Sequence, residues 1–314
     1  MAEPAPQEVG CALRNHLRVA LLAVKLLLAP TFVVGASLVA RRYGPRVGGL
    51  IAGLPVVAGP ILLVYALAHG RAFAASAAAG TLLGLVSLIA FVVVYARLAP
   101  RLFWGASLLI GWLAFATATA IFSALSLPVG VALGLAAVAL ALGLAWLPRA
   151  GAGRPEHATP PAWDLPVRAA CACALVLSLT AVAGWLGPQL SGLLAPFPII
   201  ATVLATFTHA QRGTDELLRL LRGLVSGFGA FALFCFTLAV SLRTLDTAAA
   251  FALASAVALL TQALVLVLAR GEPASSPLPA PSPPPARSPL PAPTPPPAST
   301  PLQEYYVGTP PPTA

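Results

Sequence analysis

Charged residues are scarce in this chain of 314 residues: Asp, Glu, Lys and Arg together make up only 9% of it, whereas 59% is hydrophobic. Soluble globular domains carry about 25% charged residues, because their surfaces face water. The shortage excludes a soluble globular protein, and the mean hydropathy of +0.90 agrees. The lipid bilayer is therefore the first partner that the composition implies.

Acidic residues are missing from every long apolar stretch, since all nine lie in loops, tails or helix ends. Transporters coupled to protons or cations usually keep a carboxylate within the membrane, so the sequence argues against that mechanism. The chain also lacks the Walker A, HExxH, GxSxG and Rossmann motifs. Its four cysteines have no zinc spacing and no histidine cluster beside them. We expect no enzyme, no metal site and no cofactor.

Basic residues outnumber acidic residues by 18 to 9. They fall between apolar runs without forming a basic stripe, so we expect no nucleic-acid partner and interpret them as determinants of membrane topology. Thirteen would lie on one side of a nine-span topology and five on the other. The positive-inside rule then predicts an inner-membrane protein with an external N-terminus and a cytoplasmic C-terminus.

About nine apolar stretches have the roughly 20 residues that a helix needs to cross a hydrocarbon core of about 30 Å. These stretches are 19–40, 49–68, 73–97, 102–125, 127–147, 166–186, 190–209, 217–241 and 247–269. The predicted fold class is an all-α polytopic membrane protein.

An internal repeat is the clearest pattern in the sequence. Residues 44–60 read GPRVGGLIAGLPVVAGP and residues 187–203 read GPQLSGLLAPFPIIATV, which places matching Gly and Pro residues at a constant offset of 143. The same offset pairs Lys25 with Arg168 and Gly70 with Gly213. Because Gly, Pro and basic residues rarely coincide by chance in apolar sequences, we predict a duplication.

Each copy would contain four helices, and the unpaired fifth span would be a connector helix. An odd number of steps between equivalent spans makes the copies run in opposite directions, as in the inverted repeats of many transporters. The basic loops also exchange places between the copies. The predicted organisation is an N-terminal tail (1–18), repeat one (19–125), the connector helix and loop (126–165), repeat two (166–269) and a C-terminal tail (270–314).

The tail is rich in proline, with 17 of the chain's 33 prolines in residues 271–314. Such a segment cannot bury a core, so we predict a disordered, polyproline-II-like tail. Its PxxP-like runs would suit an SH3-type protein partner. The alternative, which we favour, is a low-complexity extension.

The candidate site lies where both copies carry glycines and prolines at matching places. Prolines remove helical N–H groups, and the carbonyls they free must be satisfied inside the protein or by water. Lys25 and Arg168 could contact an anion at the entrances, although snorkelling to the interface is the simpler interpretation. The candidate residues are Gly49, Gly53, Pro55, Gly192, Pro196, Pro198, Lys25 and Arg168. Simple bending for helix packing is the competing explanation for the prolines.

A basic residue, an apolar helix and then Gly-Leu-x-x-x-x-Pro occur at Lys25 with 49–55 and at Arg168 with 192–198. This pattern resembles the GlpM-like family of small bacterial inner-membrane proteins, here in a duplicated form. The resemblance implies a polytopic inner-membrane protein and no particular substrate. Two functions therefore stay open: a transporter-like carrier of a small neutral or anionic solute, or a non-transporting membrane scaffold or accessory protein, for example in envelope polysaccharide production.

Overall fold

The structure, a computed structural model, describes residues 26–125, 127–151, 161–178 and 197–271, and every regular element within them is an α-helix. The helices are α1 (Leu26–Tyr43), α2 (Pro45–Ala52), α3 (Ala58–His69), α4 (Arg71–Leu98), α5 (Trp104–Ser123), α6 (Val129–Trp146), α7 (described over 164–178), α8 (Ile199–Ser241) and α9 (Thr247–Gly271). The predicted N-terminal tail and nearly all of the proline-rich tail lie outside the described residues.

Six of these helices are long and apolar enough to cross a membrane: α1, α4, α5, α6, α8 and α9. Helices of this length and hydropathy suit the hydrocarbon core of a bilayer and not a surface that faces water. The chain is therefore a multi-pass α-helical membrane protein. The count of nine spans stays a prediction, since part of the sixth and seventh predicted spans lies outside the described residues.

The second predicted span is divided into two helices, α2 and α3. Pro55 lies in the gap and has no N–H for the carbonyl of Ile51, which accepts the N–H of Leu54 in a tight turn instead (3.0 Å). Pro60 is a second proline in this span, and it does not break a helix. Pro60 occupies the first turn of α3, where a missing N–H leaves no helical bond unmade.

Two glycines form sharp turns with nearly the same backbone conformation. Gly70 separates α3 from α4 with φ 87° and ψ 167°, and Gly213 divides α8 with φ 78° and ψ −177°. This region is accessible almost only to glycine. We refer to the parts of α8 before and after Gly213 as α8a (199–212) and α8b (214–241). The two turns are 143 residues apart, the offset of the sequence repeat.

Helix boundaries on the far side of these turns keep the same offset. Helix α4 ends at Leu98 and α8b ends at Ser241, while α5 begins at Trp104 and α9 begins at Thr247. Helix α5 packs on α4, and α9 packs on α8. These described helix boundaries therefore keep the offset of the predicted repeat.

Helices α4 and α8b, which the predicted repeat pairs with each other, run antiparallel. The Thr214 hydroxyl, at the start of α8b, donates to the carbonyl of Ala99, just after α4 ends (3.5 Å). At the other end of the bundle, the Arg71 guanidinium at the start of α4 donates to the carbonyl of Leu245, beyond the end of α8b (2.8 Å). We call the end with Ala99 and Thr214 the basic end and the end with Arg71 and Leu245 the opposite end.

Helices α4 and α8 form the centre of the described bundle. In their most apolar 18-residue windows, 50% and 61% of the residues are buried, against 17–22% for the other four long helices. Helices α5, α6 and α9 carry large exposed apolar side chains such as Leu109, Val138 and Leu260, which suit contact with lipid.

Candidate functional site

Helix α2 meets α8b through glycines on both helices. An added Cβ on Gly49 would overlap the carbonyl oxygen of Leu220, and one on Gly223 would overlap that of Arg46. An added Cβ on Gly53 would come within 2.8 Å of Gly227. The GxxxG pairs 49/53 and 223/227 therefore bring two backbones into contact, as small-residue motifs do between membrane helices. Here one pair comes from each half of the chain.

The carbonyl of Leu50 lies at the end of α2, just before the gap at Pro55. It accepts a hydrogen bond from the side-chain amide of Gln262 on α9 (2.7 Å), and Gln262 is only 4% exposed. A lone glutamine in a membrane helix commonly bonds to backbone, and Gln262 does so here. This bond supplies a side-chain donor to a carbonyl in the last turn of α2. The end of α2 can therefore lie buried in the bundle.

The start of α8 contacts α5 through aromatic side chains. Phe197 packs against the rings of Trp112 (5.2 Å between centroids) and Phe115 (5.8 Å). The Trp112 indole also donates to the Thr202 hydroxyl (3.1 Å). Pro198 directly precedes α8, so it begins a helix and does not kink one. Helix α5 of the first half thus contacts α8a, as α9 of the second half contacts α2.

Arg168 takes part in a buried ionic cluster at the basic end. Its Nε donates to one carboxylate oxygen of Asp164 (2.8 Å), and Arg41 Nη2 on α1 donates to the other (2.6 Å). Asp164 is 1% exposed and Arg168 is 3% exposed. The Arg168 guanidinium also lies over the ring of Phe207, 5.0 Å from its centroid. Arg168 does not snorkel to solvent, so that interpretation of the residue is wrong.

Asp164 stays ionised in this cluster. Burial alone would raise the pKa of its carboxyl, but the hydrogen bonds from Arg168 and Arg41 outweigh burial and hold the pKa below its ordinary value. A fixed negative charge therefore ties α1 to the start of α7.

The structure brings only some of the predicted site residues together. Gly49 and Gly53 form the contact with α8b, Pro55 lies in the gap after α2, Pro198 precedes α8, and Arg168 belongs to the ionic cluster. Lys25, Gly192 and Pro196 lie outside the described residues. A meeting of Pro55 and Pro198 around a central cavity stays a prediction.

Two features of the site were missed by sequence reasoning. Asp164 was assigned to a loop, and of its two arginine partners only Arg168 could have been suspected, from the i,i+4 spacing. Trp112 gave no signal, because apolar and aromatic residues surround it throughout α5. Among the described residues, no group of three or more His, Cys, Asp or Glu side chains could hold a metal ion.

No family model, curated protein or solved structure matches the chain. The resemblance to the GlpM-like family therefore stays a prediction that depends on the residues quoted for it. Any function has to be argued from the geometry of the chain itself.

Proposed function

We propose that the protein is an inner-membrane carrier of a small neutral or anionic solute, formed by two inverted four-helix halves. One observation carries the proposal: described helices related by a constant offset of 143 residues share their boundaries and glycine turns, yet run antiparallel. Antiparallel equivalents are what an inverted repeat requires, and many secondary transporters have this architecture.

The solute site of this proposal lies between the α2–α3 gap and the segment that ends at Pro198. In inverted-repeat transporters, discontinuous helices from both halves meet near the bilayer midplane, where freed backbone groups contact the solute. The gap at Pro55 is such a discontinuity. The predicted spans contain no carboxylate, so the proposed solute is neutral or anionic and not a metal cation.

The proposed orientation places the basic end in the cytoplasm. The loops that carry 13 of the 18 basic residues include those at Arg41, Arg97, Arg168 and Arg212, and contacts between described residues bring parts of these loops to one end. Arg71 and Arg243 lie at the opposite end. The positive-inside rule then favours cytoplasmic loops at the basic end.

Cysteine labelling tests the carrier. In a variant without the four native cysteines, Leu54→Cys, Val56→Cys and Ile200→Cys would be treated with a membrane-impermeant, water-soluble thiol reagent in open membrane sheets. A water-filled cavity predicts that these positions react. Leu260→Cys, on a residue 71% exposed on the lipid-facing side of α9, should stay unlabelled. Thr244→Cys, at the exposed opposite end, should react fully. Labelling of Thr244→Cys alone would contradict the carrier.

The second candidate function is a scaffold or accessory protein. The close contact of α2 with α8b favours it, because glycines that bring two backbones together leave no space for solute. On this proposal, the proline-rich tail recruits a cytoplasmic protein partner. Absence of labelling at positions 54, 56 and 200, together with capture of the same partner by the full chain but not by a chain ending at residue 271, would favour the scaffold.

A further inference from the structure

Three exposed arginines lie together where α4 ends, at the basic end. Arg97 is in the last turn of α4, and its Nε donates to the carbonyl of Trp146 at the end of α6 (2.6 Å). Arg101 follows one turn later and donates to the carbonyl of Arg97 (3.4 Å). Arg149 comes three residues after Trp146, and all three arginines are exposed. We refer to Arg97, Arg101 and Arg149 as the arginine patch.

The arginine patch keeps its positive charge. Among the described residues, no carboxylate forms an ion pair with it, since Asp164 belongs to the ionic cluster and Glu216 pairs with an arginine of its own helix. Asp215 accepts a backbone N–H. The predicted topology assigns 13 basic and six acidic residues to this end, with Glu156 counted among the six. Positive charge is therefore in excess even when every carboxylate is counted.

Two tryptophans place the arginine patch at the membrane surface. Trp104 begins α5 and is 46% exposed, and Trp146 ends α6 and is 57% exposed. Both helices pack against α4, so these two helix ends lie beside the end of α4. Tryptophan is enriched where membrane helices meet lipid headgroups, because its ring is apolar and its N–H is polar. The arginine patch therefore lies at the level of the headgroups.

An apolar strip continues from the patch into the membrane. Val138, Leu142 and Trp146 are spaced four residues apart, so they share one face of α6, and each is at least 46% exposed. The strip is about 12 Å long. Positive charge at headgroup level with an exposed apolar strip below it matches the two parts of a phospholipid. A free phosphate ion would use only the arginines.

We propose that the arginine patch binds the headgroup phosphate of one anionic phospholipid, whose acyl chains lie along the strip of Val138 and Leu142. Guanidinium groups bind phosphate oxygens through paired, charge-assisted hydrogen bonds. The bond from Arg97 to the Trp146 carbonyl fixes its side chain and leaves its terminal N–H groups for the phosphate. A zwitterionic lipid would bring a cationic group towards three guanidinium groups, so an anionic lipid is favoured.

The bound lipid would join two helices at the basic end, because Arg97 and Arg101 lie at the end of α4 and Arg149 follows α6. This inference goes beyond the proposed carrier, since it concerns a lipid that stays on the outer surface of the bundle. It holds whichever solute moves elsewhere in the protein.

Native mass spectrometry of the purified full-length protein tests the proposal. Protein in detergent would be titrated with dioleoylphosphatidylglycerol, which is anionic, or with dioleoylphosphatidylcholine, which is zwitterionic and has the same acyl chains. The first phosphatidylglycerol should bind about tenfold more tightly than the first phosphatidylcholine. At constant ionic strength, phosphatidylglycerol should also raise the melting temperature in a saturable way.

Two variants locate the lipid at the patch. Arg101→Gln and Arg149→Gln each remove one charge near the membrane surface, and each should weaken phosphatidylglycerol binding about fivefold. Arg101→Lys keeps the charge and should keep most of the affinity. Arg97 is left unchanged because its bond to the Trp146 carbonyl also supports the packing of α4 with α6, so its loss would mix folding with binding.

Two matched controls separate the patch from general surface charge. Arg42 is exposed at the basic end, where its guanidinium lies over the ring of Tyr43 (5.8 Å). Arg243 is exposed at the opposite end. Arg42→Gln and Arg243→Gln remove the same charge as the patch variants, and both should bind phosphatidylglycerol as the unchanged protein does.

Three results would overturn the proposal. Equal affinity for the two lipids would mean that headgroup charge is not recognised. An equal loss in Arg42→Gln and Arg101→Gln would assign binding to the general positive charge of this end. Displacement of the lipid by millimolar inorganic phosphate at constant ionic strength would assign the arginines to a free anion. None of these results depends on cysteine labelling near Pro55, so the carrier and the lipid site can fail separately.

Discussion

The two predicted halves of the chain have matching glycine turns and helix boundaries among the described residues, and they differ in their polar contacts. In the first half, α3 turns at Gly70 into α4, and in the second half α8a turns at Gly213 into α8b with nearly the same dihedral angles. The buried acid Asp164 has no counterpart in the first half, where the offset leads to Leu21. The buried Gln262 of α9 corresponds to Thr119 of α5. The comparison teaches that backbone geometry is common to both halves, whereas charge and hydrogen bonding distinguish them.

The largest effect should come from Asp164, the buried charge at the start of α7. Asp164→Asn leaves the buried Arg168 and the partly exposed Arg41 without their shared counter-charge, which should lower the free energy of unfolding by about 3 kcal/mol. Asp246→Asn is the control. Asp246 is an exposed residue whose carboxylate accepts the N–H of Ala249 at the start of α9 (2.8 Å), and an Asn oxygen can accept the same bond, so the loss should stay below about 1 kcal/mol. Equal melting temperatures for the two variants would contradict a special role for Asp164.

The same residue predicts a pH dependence. The pKa of Asp164 is lower in the folded protein than its ordinary value, so its contribution to stability is complete above the ordinary carboxyl pKa. The contribution is lost as the pH falls through the lowered folded-state pKa. The melting temperature of the unchanged protein should therefore fall in acid more than that of Asp164→Asn. Parallel curves for the two proteins would count against this assignment.

Next in size is the contact that joins the halves. Gly49→Leu on α2 and Gly223→Leu on α8b should each lower the free energy of unfolding by about 3 kcal/mol, because the new side chain would overlap backbone atoms of the other helix. Gly35→Leu on α1 is the control, since no heavy atom lies within 4 Å of a Cβ there. Size-exclusion profiles and melting temperatures in detergent provide the measurement. An unchanged melting temperature of Gly49→Leu would mean that α2 can move away from α8b.

The shared turns should be equally sensitive. Gly70→Ala and Gly213→Ala each place a side chain in a conformation that costs a residue with Cβ about 1–3 kcal/mol. Gly130→Ala, in a helix and with open space around its Cβ position, should cost nothing measurable. The test is whether the two losses in melting temperature agree. A loss in melting temperature at only one of the two glycines would mean that the two turns are not equivalent, and it would count against the inverted repeat.

The smallest effects should come from the pair Gln262 and Thr119. Gln262→Leu leaves the carbonyl of Leu50 without its side-chain donor and should cost about 1 kcal/mol. Thr119→Val should be neutral or slightly stabilising, because the Thr119 hydroxyl is buried without a partner among the described residues. Melting temperatures of both variants, measured side by side, decide the matter. A larger loss for Thr119→Val would mean that its hydroxyl has a partner after all.

The helix break and the sharp turns were largely predictable from sequence, because each depends on the backbone conformation of a single residue. Proline cannot donate at position 55, and only glycine is readily accommodated at 70 and 213. The effect of Pro60 could not be read from sequence in the same way, because it depends on which residue begins the helix, and that boundary is set by the gap before it.

Polar contacts were much less predictable, since they join residues far apart in the chain. Arg41 and Asp164 are 123 residues apart, and their contact depends on how α1 and α7 pack. The sequence marked Arg168 as a membrane-interface residue because arginine side chains commonly reach water there. It could not indicate that a buried carboxylate and the ring of Phe207 would surround the guanidinium.

The bond between Gln262 and Leu50 can form only late in the synthesis of the chain. The two residues are 212 positions apart, so at about 5–20 residues per second the ribosome needs roughly 10–40 s to supply the donor after making the acceptor. The eight-residue helix α2, about 12 Å long, is too short to cross the bilayer. Its glycine face has a partner once Gly223 and Gly227 of α8b have been made, but until Gln262 follows the carbonyl of Leu50 lacks its side-chain donor. Delayed or truncated synthesis should therefore leave the first half in the membrane without the side-chain donor for the Leu50 carbonyl. During this interval quality control can recognise an unfinished chain.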